Sequence, residues 1–348
     1  MRTTATLSTK QKRMKALVLE AAGRANVRDV PDPSPEDRAL VRVERVGVCG
    51  TDASIFRGKI EVAYPRIMGH EMVGVVEAPG PMGLVPAGTR VVVDPGAACG
   101  YCHLCRDDRA NLCRNGGLLG RDLDGVFAER IAIPETFLHP LPDSVSAENA
   151  PLLQVLGTCV HAQAQFAVFP GDTAVVIGLG VTGFLHLQLL KARGLTSVVA
   201  ITRSEWKQEM AGAWGAAAAV GPDLASEAIR EVSGGKGAAV VVECAGYEST
   251  LSQAIELAGP GGTVSAFGTI THRESGLPYY QLYHKELTIL NPRAALPRDY
   301  ARAVALVADG SIEFGPLVTH RLPIEDAPGA LGDLLHDPAA LKILFEMG

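Results

Sequence analysis

Cys49 stands in "GVCGTDASIF", and 21 residues further on His70 and Glu71 stand side by side in "MGHEMVG". A thiol, an imidazole and a carboxylate are donor types for a divalent metal. Alone they prove little, since an isolated cysteine is usually core and a His–Glu pair is usually surface. The other cysteines change the balance. Cys99, Cys102, Cys105 and Cys113 in "CGYCHLCRDDRANLC" fall within 15 residues, where chance placement of the chain's 7 cysteines would put roughly 0.3. Disulfides between cysteines this close are sterically awkward, whereas four thiolates satisfy tetrahedral zinc and leave no open position. Such a site is structural, and it holds a loop with too few apolar residues to hold itself. An iron–sulfur cluster is the competing reading, weakened by the seven-residue gap before Cys113 and by the lack of a following proline. Reduced thiols favour a reducing compartment, the cytoplasm.

A second constellation lies in "VVIGLGVTGF". Gly178, Gly180 and Gly183 make a G-x-G-x-x-G string directly after an apolar strand and at the opening of a helix. In that context the first glycine permits the turn, and the second lets backbone approach a pyrophosphate held on the helix N-terminus. The third lets helix and sheet pack. A tight strand–helix turn in an unrelated α/β protein is the bland alternative. Nineteen residues past Gly183, where an acid would bind an adenosine ribose, the chain reads Thr202, Arg203, Ser204 and then Lys207. Cations and hydroxyls there suit a 2′-phosphate, so the reading favours NADP over NAD; otherwise Arg203 is a solvated loop cation.

These groups need elements to hold them. From residue 14 to about 160, "KALVLE", "ALVRVERVGV", "MVGVVEA", "RVVVDP" and "FAERIAIP" are short, β-branched and bounded by Gly, Pro and Asp. They predict a rolled antiparallel sheet or barrel. After "QFAVFPGD" strands alternate with helix-length stretches, which predicts a parallel sheet covered on both faces. Residues 1–13 read as a disordered tail, 14–163 as the β-rich domain carrying the lobe at 99–113, 164–297 as the parallel-sheet domain, and 298–348 as a return segment packing on the first. The chain has 348 residues, 47% apolar, with a formal charge of −6. That charge argues against nucleic acid as a partner. No apolar run reaches the length of a membrane span.

Taken together, "CGTD" at 49–52, "GHE" at 69–71, the four-cysteine lobe, "GLGVTG" at 178–183 and "ECAG" at 243–246 resemble the medium-chain zinc-dependent alcohol dehydrogenase superfamily, closest to its polyol, sorbitol and threonine dehydrogenase group. The resemblance implies an α/β plus β-rich fold: a GroES-like catalytic domain with an inserted Rossmann parallel-sheet domain and the active site in the cleft. It implies two zinc ions per chain. Cys99, Cys102, Cys105 and Cys113 would hold the structural ion. Cys49, His70, Glu71 and Gln154 would serve the catalytic ion, Gln154 standing where the group usually has Glu. Cys159 is the less favoured ligand and otherwise a buried small residue. Thr51 would be the relay hydroxyl and Asp52 an orienting carboxylate, while Ala53 replaces the histidine that passes the proton on in many relatives. Leu179, Val181 and Thr182 of the glycine loop, and Ala245 and Gly246, join the cofactor contacts. Phe56 and Leu119 are pocket-wall candidates by loop position, at least one of them plain core. "LPYYQLYHKELTI" reads as a helix before the last Rossmann strand. The implied reaction moves hydride between a secondary alcohol or its carbonyl and NAD(P), zinc acting as Lewis acid. An aldose 1-dehydrogenase, or a non-catalytic zinc-stabilised scaffold, is the alternative. A homodimer or homotetramer is implied as well.

Overall fold

Alternation in "ALVRVERVG" puts Val41 and Val43 on one face of a strand and Arg42 on the other, and the strand Ala39–Gly47 follows. The computed structural model describes residues 12–270, 276–334 and 337–348. Most of the expected tail lies outside the described residues; the first strand begins at Arg13.

The chain divides into two compact units, one of residues 1–97, 115–152 and 318–348, the other of 98–114 and 153–317. The first is β-rich. Its larger sheet runs Leu138–Pro140, Arg90–Val93, Glu71–Ala78, Ala39–Gly47, Lys342–Glu346 and Val318–Pro323, with Arg130–Ile133 also pairing on Ala39–Gly47. The pairings are antiparallel except the last, where Val318–Pro323 and Lys342–Glu346 run parallel. Arg24–Pro31, Arg13–Ala21 and Arg66–Ile67 form a smaller sheet. Val41, Val43, Val46, Met68, Met72, Val91, Phe127 and Phe345 are buried together, the two phenylalanine rings edge to face at 6.2 Å.

The second unit holds six parallel strands in the order Ala218–Val220, Ser197–Ile201, Thr173–Ile177, Ala238–Glu243, Ala258–Ala266 and Thr288–Leu290. Thr173–Ile177 is buried at every residue, as an unbroken apolar run requires when helices cover both faces. The chain winds outward from this strand in one direction, then returns to its other side at Ala238–Glu243. That reversal is a topological switch point, where α/β sheets bind ligands beyond the strand ends. The expected helix before the last strand is present at Tyr279–His284.

Three segments group differently from the sequence reading. Residues 153–163, the helix Pro297–Ala308 and the cysteine lobe all belong to the second unit. Side-chain contacts explain this. Gln163 of the helix Leu152–Gln163 bonds the buried His186, and a Cβ on Gly157 would collide with the Tyr300 ring. Composition carries no trace of such packing.

Candidate metal centres and dinucleotide site

The strand Ala39–Gly47 ends two residues before Cys49, which caps the helix Gly50–Phe56. Asp52, in the first turn, accepts the Cys49 backbone N–H at 2.9 Å. Its other oxygen lies 3.4 Å from His70 Nδ1, a close ion-pair contact without hydrogen-bond geometry; both atoms are buried and otherwise unpartnered among the described residues. His70 Nδ1 therefore faces Asp52 and leaves Nε2 as the donor. Burial opposes charge on the ring, but the Asp52 carboxylate and Cys49 outweigh it and raise the His70 pKa well above the ordinary value. Ligand atoms of Cys49, His70 and Glu71 lie within 4.8 Å of one another. The three residues come from two segments 21 positions apart, as the spacing suggested.

Glu71 has a partner the sequence reading missed. Lys342 Nζ donates to Glu71 Oε1 at 2.9 Å, to Oε2 at 2.8 Å and to the Val48 carbonyl at 2.9 Å. Lys342 is 3% exposed and Glu71 0%. Glycine at position 47 is required here, because a Cβ would fall 2.3 Å from Glu71 Oε2. The available signal was a lone lysine opening the apolar run "KILFE", a charge where the pattern calls for core. A divalent cation bound here would displace the protons of Cys49 and His70, so that a thiolate and a neutral imidazole become its ligands beside the Glu71 carboxylate. A thiolate and an imidazole with a nearby carboxylate suit zinc.

The lobe is built the same way. Sγ atoms of Cys99 and Cys105 are 4.0 Å apart, Cys102 and Cys105 3.5 Å, and Cys102 and Cys113 3.9 Å. A tetrahedron with Zn–S of about 2.3 Å has edges of about 3.8 Å, so the cage fits. Loss of solvation opposes ionisation of Cys99, yet the N–H groups of Tyr101 and Cys102 outweigh it and bring the thiol down to about 6. At Cys105 loss of solvation, then contact with Cys102, pushes it up to about 12. Thiols that divide their protons so unequally need a dication before all four can ionise. A network unforeseen from sequence docks the lobe. Asn111 donates to the Arg293 carbonyl at 2.8 Å and to His161 Nε2 at 3.2 Å, which places the ring proton on Nδ1, 2.8 Å from Asp299. Arg298 pairs with Asp108.

Gln154 is buried on Leu152–Gln163, in the second unit. Cys159, on the same helix, is fully buried, its sulfur 4.0 Å from the Thr182 carbonyl, and burial pushes its thiol far up. Thr51 is half-buried in the first turn after Cys49. Phe56 and Leu119 both pack against the core of the first unit.

At the switch point Gly178 has φ +88°, and its missing Cβ would lie 2.9 Å from Ala245, so the glycine loop and the "ECAG" loop touch. A Cβ on Gly183 would strike the Gly178 carbonyl, so the third glycine is the packing residue expected. Leu179 is buried, and the helix Val181–Ala192 begins after Gly180. Thr202 follows the strand Ser197–Ile201 and its carbonyl accepts the Gln208 side-chain amide at 2.9 Å, and Ser204 stands at the N-cap of the helix Glu205–Ala213. Arg203 is exposed with no ion-pair partner among the described residues. Lys207 lies 5.2 Å over the Trp206 ring, and burial lowers its pKa. Among the described residues no helix is long and apolar enough to cross a membrane.

Residues 35–143 match the family model for the alcohol dehydrogenase GroES-like domain, and residues 181–309 that for zinc-binding dehydrogenase. A zinc-binding dehydrogenase from Sinorhizobium meliloti 1021, solved bound to NADP, is 32% identical with a TM-score of 0.89, over 97% of this chain and 100% of that one. The alcohol dehydrogenase TADH from Thermus sp. ATN1 is 33% identical with a TM-score of 0.88, over 96% and 99%. D-xylulose reductase A of Aspergillus oryzae is 29% identical over 92% of this chain and 93% of its own.

Proposed function

The chain belongs to the zinc-dependent medium-chain alcohol dehydrogenase family, and from that premise we propose that it moves a hydride between a secondary alcohol and NADP. The substrate class proposed is polyol, cyclitol, amino alcohol or sugar, the class to which the similar D-xylulose reductase belongs by name. One observation carries the reading: ligand atoms of Cys49, His70 and Glu71 lie within 4.8 Å of one another, with the Asp52 carboxylate behind the imidazole, a cluster that a catalytic dication fits. Zinc bound there would supply a Lewis acid that lowers the pKa of a substrate hydroxyl. The protein's own parts do the rest. Asp52 fixes the His70 ring and keeps Nε2 free to donate. Lys342 grips both oxygens of Glu71 and offsets its charge, which weakens Glu71 as a permanent ligand. Thr51 offers a hydroxyl to accept the substrate proton, and Ala53 leaves the onward path to water.

Gln154 is proposed as a further oxygen donor on the family pattern. The lobe would carry a second, structural zinc, supported by the sulfur spacings. NADP is favoured over NAD because no acid stands at the end of the strand Ser197–Ile201, where Thr202, Arg203 and Ser204 follow, with Lys207 beyond Glu205. A cytoplasmic setting suits the free thiols. A homodimer or homotetramer is proposed on the family pattern, to be checked by light scattering.

The test is an absorbance screen at 340 nm with NADP and NAD against polyols, aldoses, amino alcohols and simple secondary alcohols, beside metal analysis. Turnover with about two zinc ions per chain, lost in Cys49→Ser, supports the proposal. Undiminished activity in Cys49→Ser refutes it. Aldoses as the only substrates select the aldose dehydrogenase, and one zinc without turnover selects the scaffold.

A further inference from the structure

The adenosine end of the proposed cofactor falls on the Ser197–Ile201 side of the central strand, with the pyrophosphate on the glycine loop. The nicotinamide end must then cross the switch point to the other neighbour, Ala238–Glu243. The last residue of that strand, Glu243, pairs in register with Ile177, the residue just before the glycine loop. Glu243 is 0% exposed, and no cation pairs with it among the described residues. Burial raises its pKa, against the donors that face it.

Those donors rim the switch point: two are N–H groups of the loop after the strand, and the third is the Thr250 hydroxyl in the first turn of the helix Glu248–Leu257. Oε1 accepts the Ala245 N–H at 2.7 Å, the Gly246 N–H at 2.9 Å and the Thr250 hydroxyl at 2.8 Å. Ala245 is the residue against which Gly178 packs. The Glu243 backbone carbonyl accepts the N–H groups of Phe267 and Gly268, at 2.9 and 2.8 Å, from the loop after the next strand. Oε2 is buried without a hydrogen-bond partner among the described residues, at a point 2.7 Å from where a Gly268 Cβ would stand. One residue thus holds two loops, one with its side chain and one with its carbonyl, while an oxygen goes unsatisfied. A buried orphan oxygen costs stability. Its retention at the switch point points to a task there.

Resting on the dinucleotide reading above, we infer that Glu243 is a positioning residue: it shapes the 244–246 and 267–268 loops into the rim that receives the nicotinamide half of the cofactor. It acts through Ala245 and Gly246 and need not touch the cofactor.

The test compares binding of the whole cofactor with binding of its adenosine end alone, and needs no turnover. NADPH is titrated by its own fluorescence, and adenosine 2′,5′-bisphosphate by calorimetry. Glu243→Ala weakens NADPH about tenfold or more and the bisphosphate less than about twofold, a factor of ten being the loss of one or two good contacts. Glu243→Gln, which keeps the acceptor oxygen, restores NADPH binding to within about threefold of the parent. Thr250→Val removes one donor and weakens NADPH about threefold, again sparing the bisphosphate; it decides the matter if Glu243→Ala does not fold. The inference is overturned if the variants weaken both ligands equally, if NADPH binding is unchanged, or if Glu243→Gln is as poor as Glu243→Ala. A parent protein that binds neither NADPH nor NADH overturns the dinucleotide reading as well.

Discussion

Replacing Lys342 by Met strips the buried Glu71 of the one cation paired with it among the described residues and leaves the Val48 carbonyl without that donor. Breaking a buried pair by removing one partner costs about 3–5 kcal/mol, because the remaining charge stays desolvated. Replacing both partners by apolar residues costs far less, so Lys342→Met/Glu71→Leu is expected to recover most of the loss, except what the Val48 carbonyl forfeits, about 1 kcal/mol. The choice of probe matters. Both tryptophans, Trp206 and Trp214, lie in the second unit, so their fluorescence does not report on this sheet. Amide hydrogen exchange read by mass spectrometry does, on peptides covering residues 39–48, 71–78 and 342–346. With each 1.4 kcal/mol worth a factor of ten, the single variant should exchange about 10²- to 10³-fold faster there, up to the limit set by global unfolding. Exchange within about threefold of the parent refutes the reasoning, as does a double variant no better protected than the single one.

Asp52→Asn keeps the shape and removes the charge beside His70 Nδ1; zinc affinity at the Cys49 site should fall about 10- to 100-fold by competition with a chromogenic chelator, with the lobe's zinc retained. Cys105→Ser should lose one zinc per chain by elemental analysis and expose the 99–113 peptide to protease, while Cys49 still holds its own ion. Arg203→Glu should raise KM for NADP about tenfold or more and change KM for NAD less than about threefold; equal changes would mean Arg203 does not meet the 2′-phosphate.

The lobe was the most legible part of the molecule, because four cysteines that share one ion must be close in sequence when the loop around them is small. The glycine loop was legible for a related reason: turn, phosphate and packing requirements fall within six residues, Gly178 to Gly183. Cys49 and His70 needed the surrounding motifs, since the sheet that brings them together pairs strands far apart in the chain. Lys342 and Glu243 stayed hidden. Their roles depend on which backbone arrives beside them, and a lysine or glutamate gives no sign of its partner. The docking of the lobe through Asn111, His161 and Asp299 spans residues 188 positions apart and has no local pattern at all. The compact units divide the chain differently from the sequence reading for the same reason, because Gln163 and Tyr300 declare their allegiance only through contacts.

Lys342 reaches Glu71 across 271 residues of intervening chain. During synthesis the loops bearing Cys49 and His70 are made early, yet the ammonium that pairs with their neighbour emerges only 271 residues after it. The second unit, whose sheet runs through residues 173–290, can assemble while the first still lacks its closing strand. A chain broken off before Lys342 would carry every residue proposed to bind zinc and still leave a bare carboxylate in the middle of a sheet.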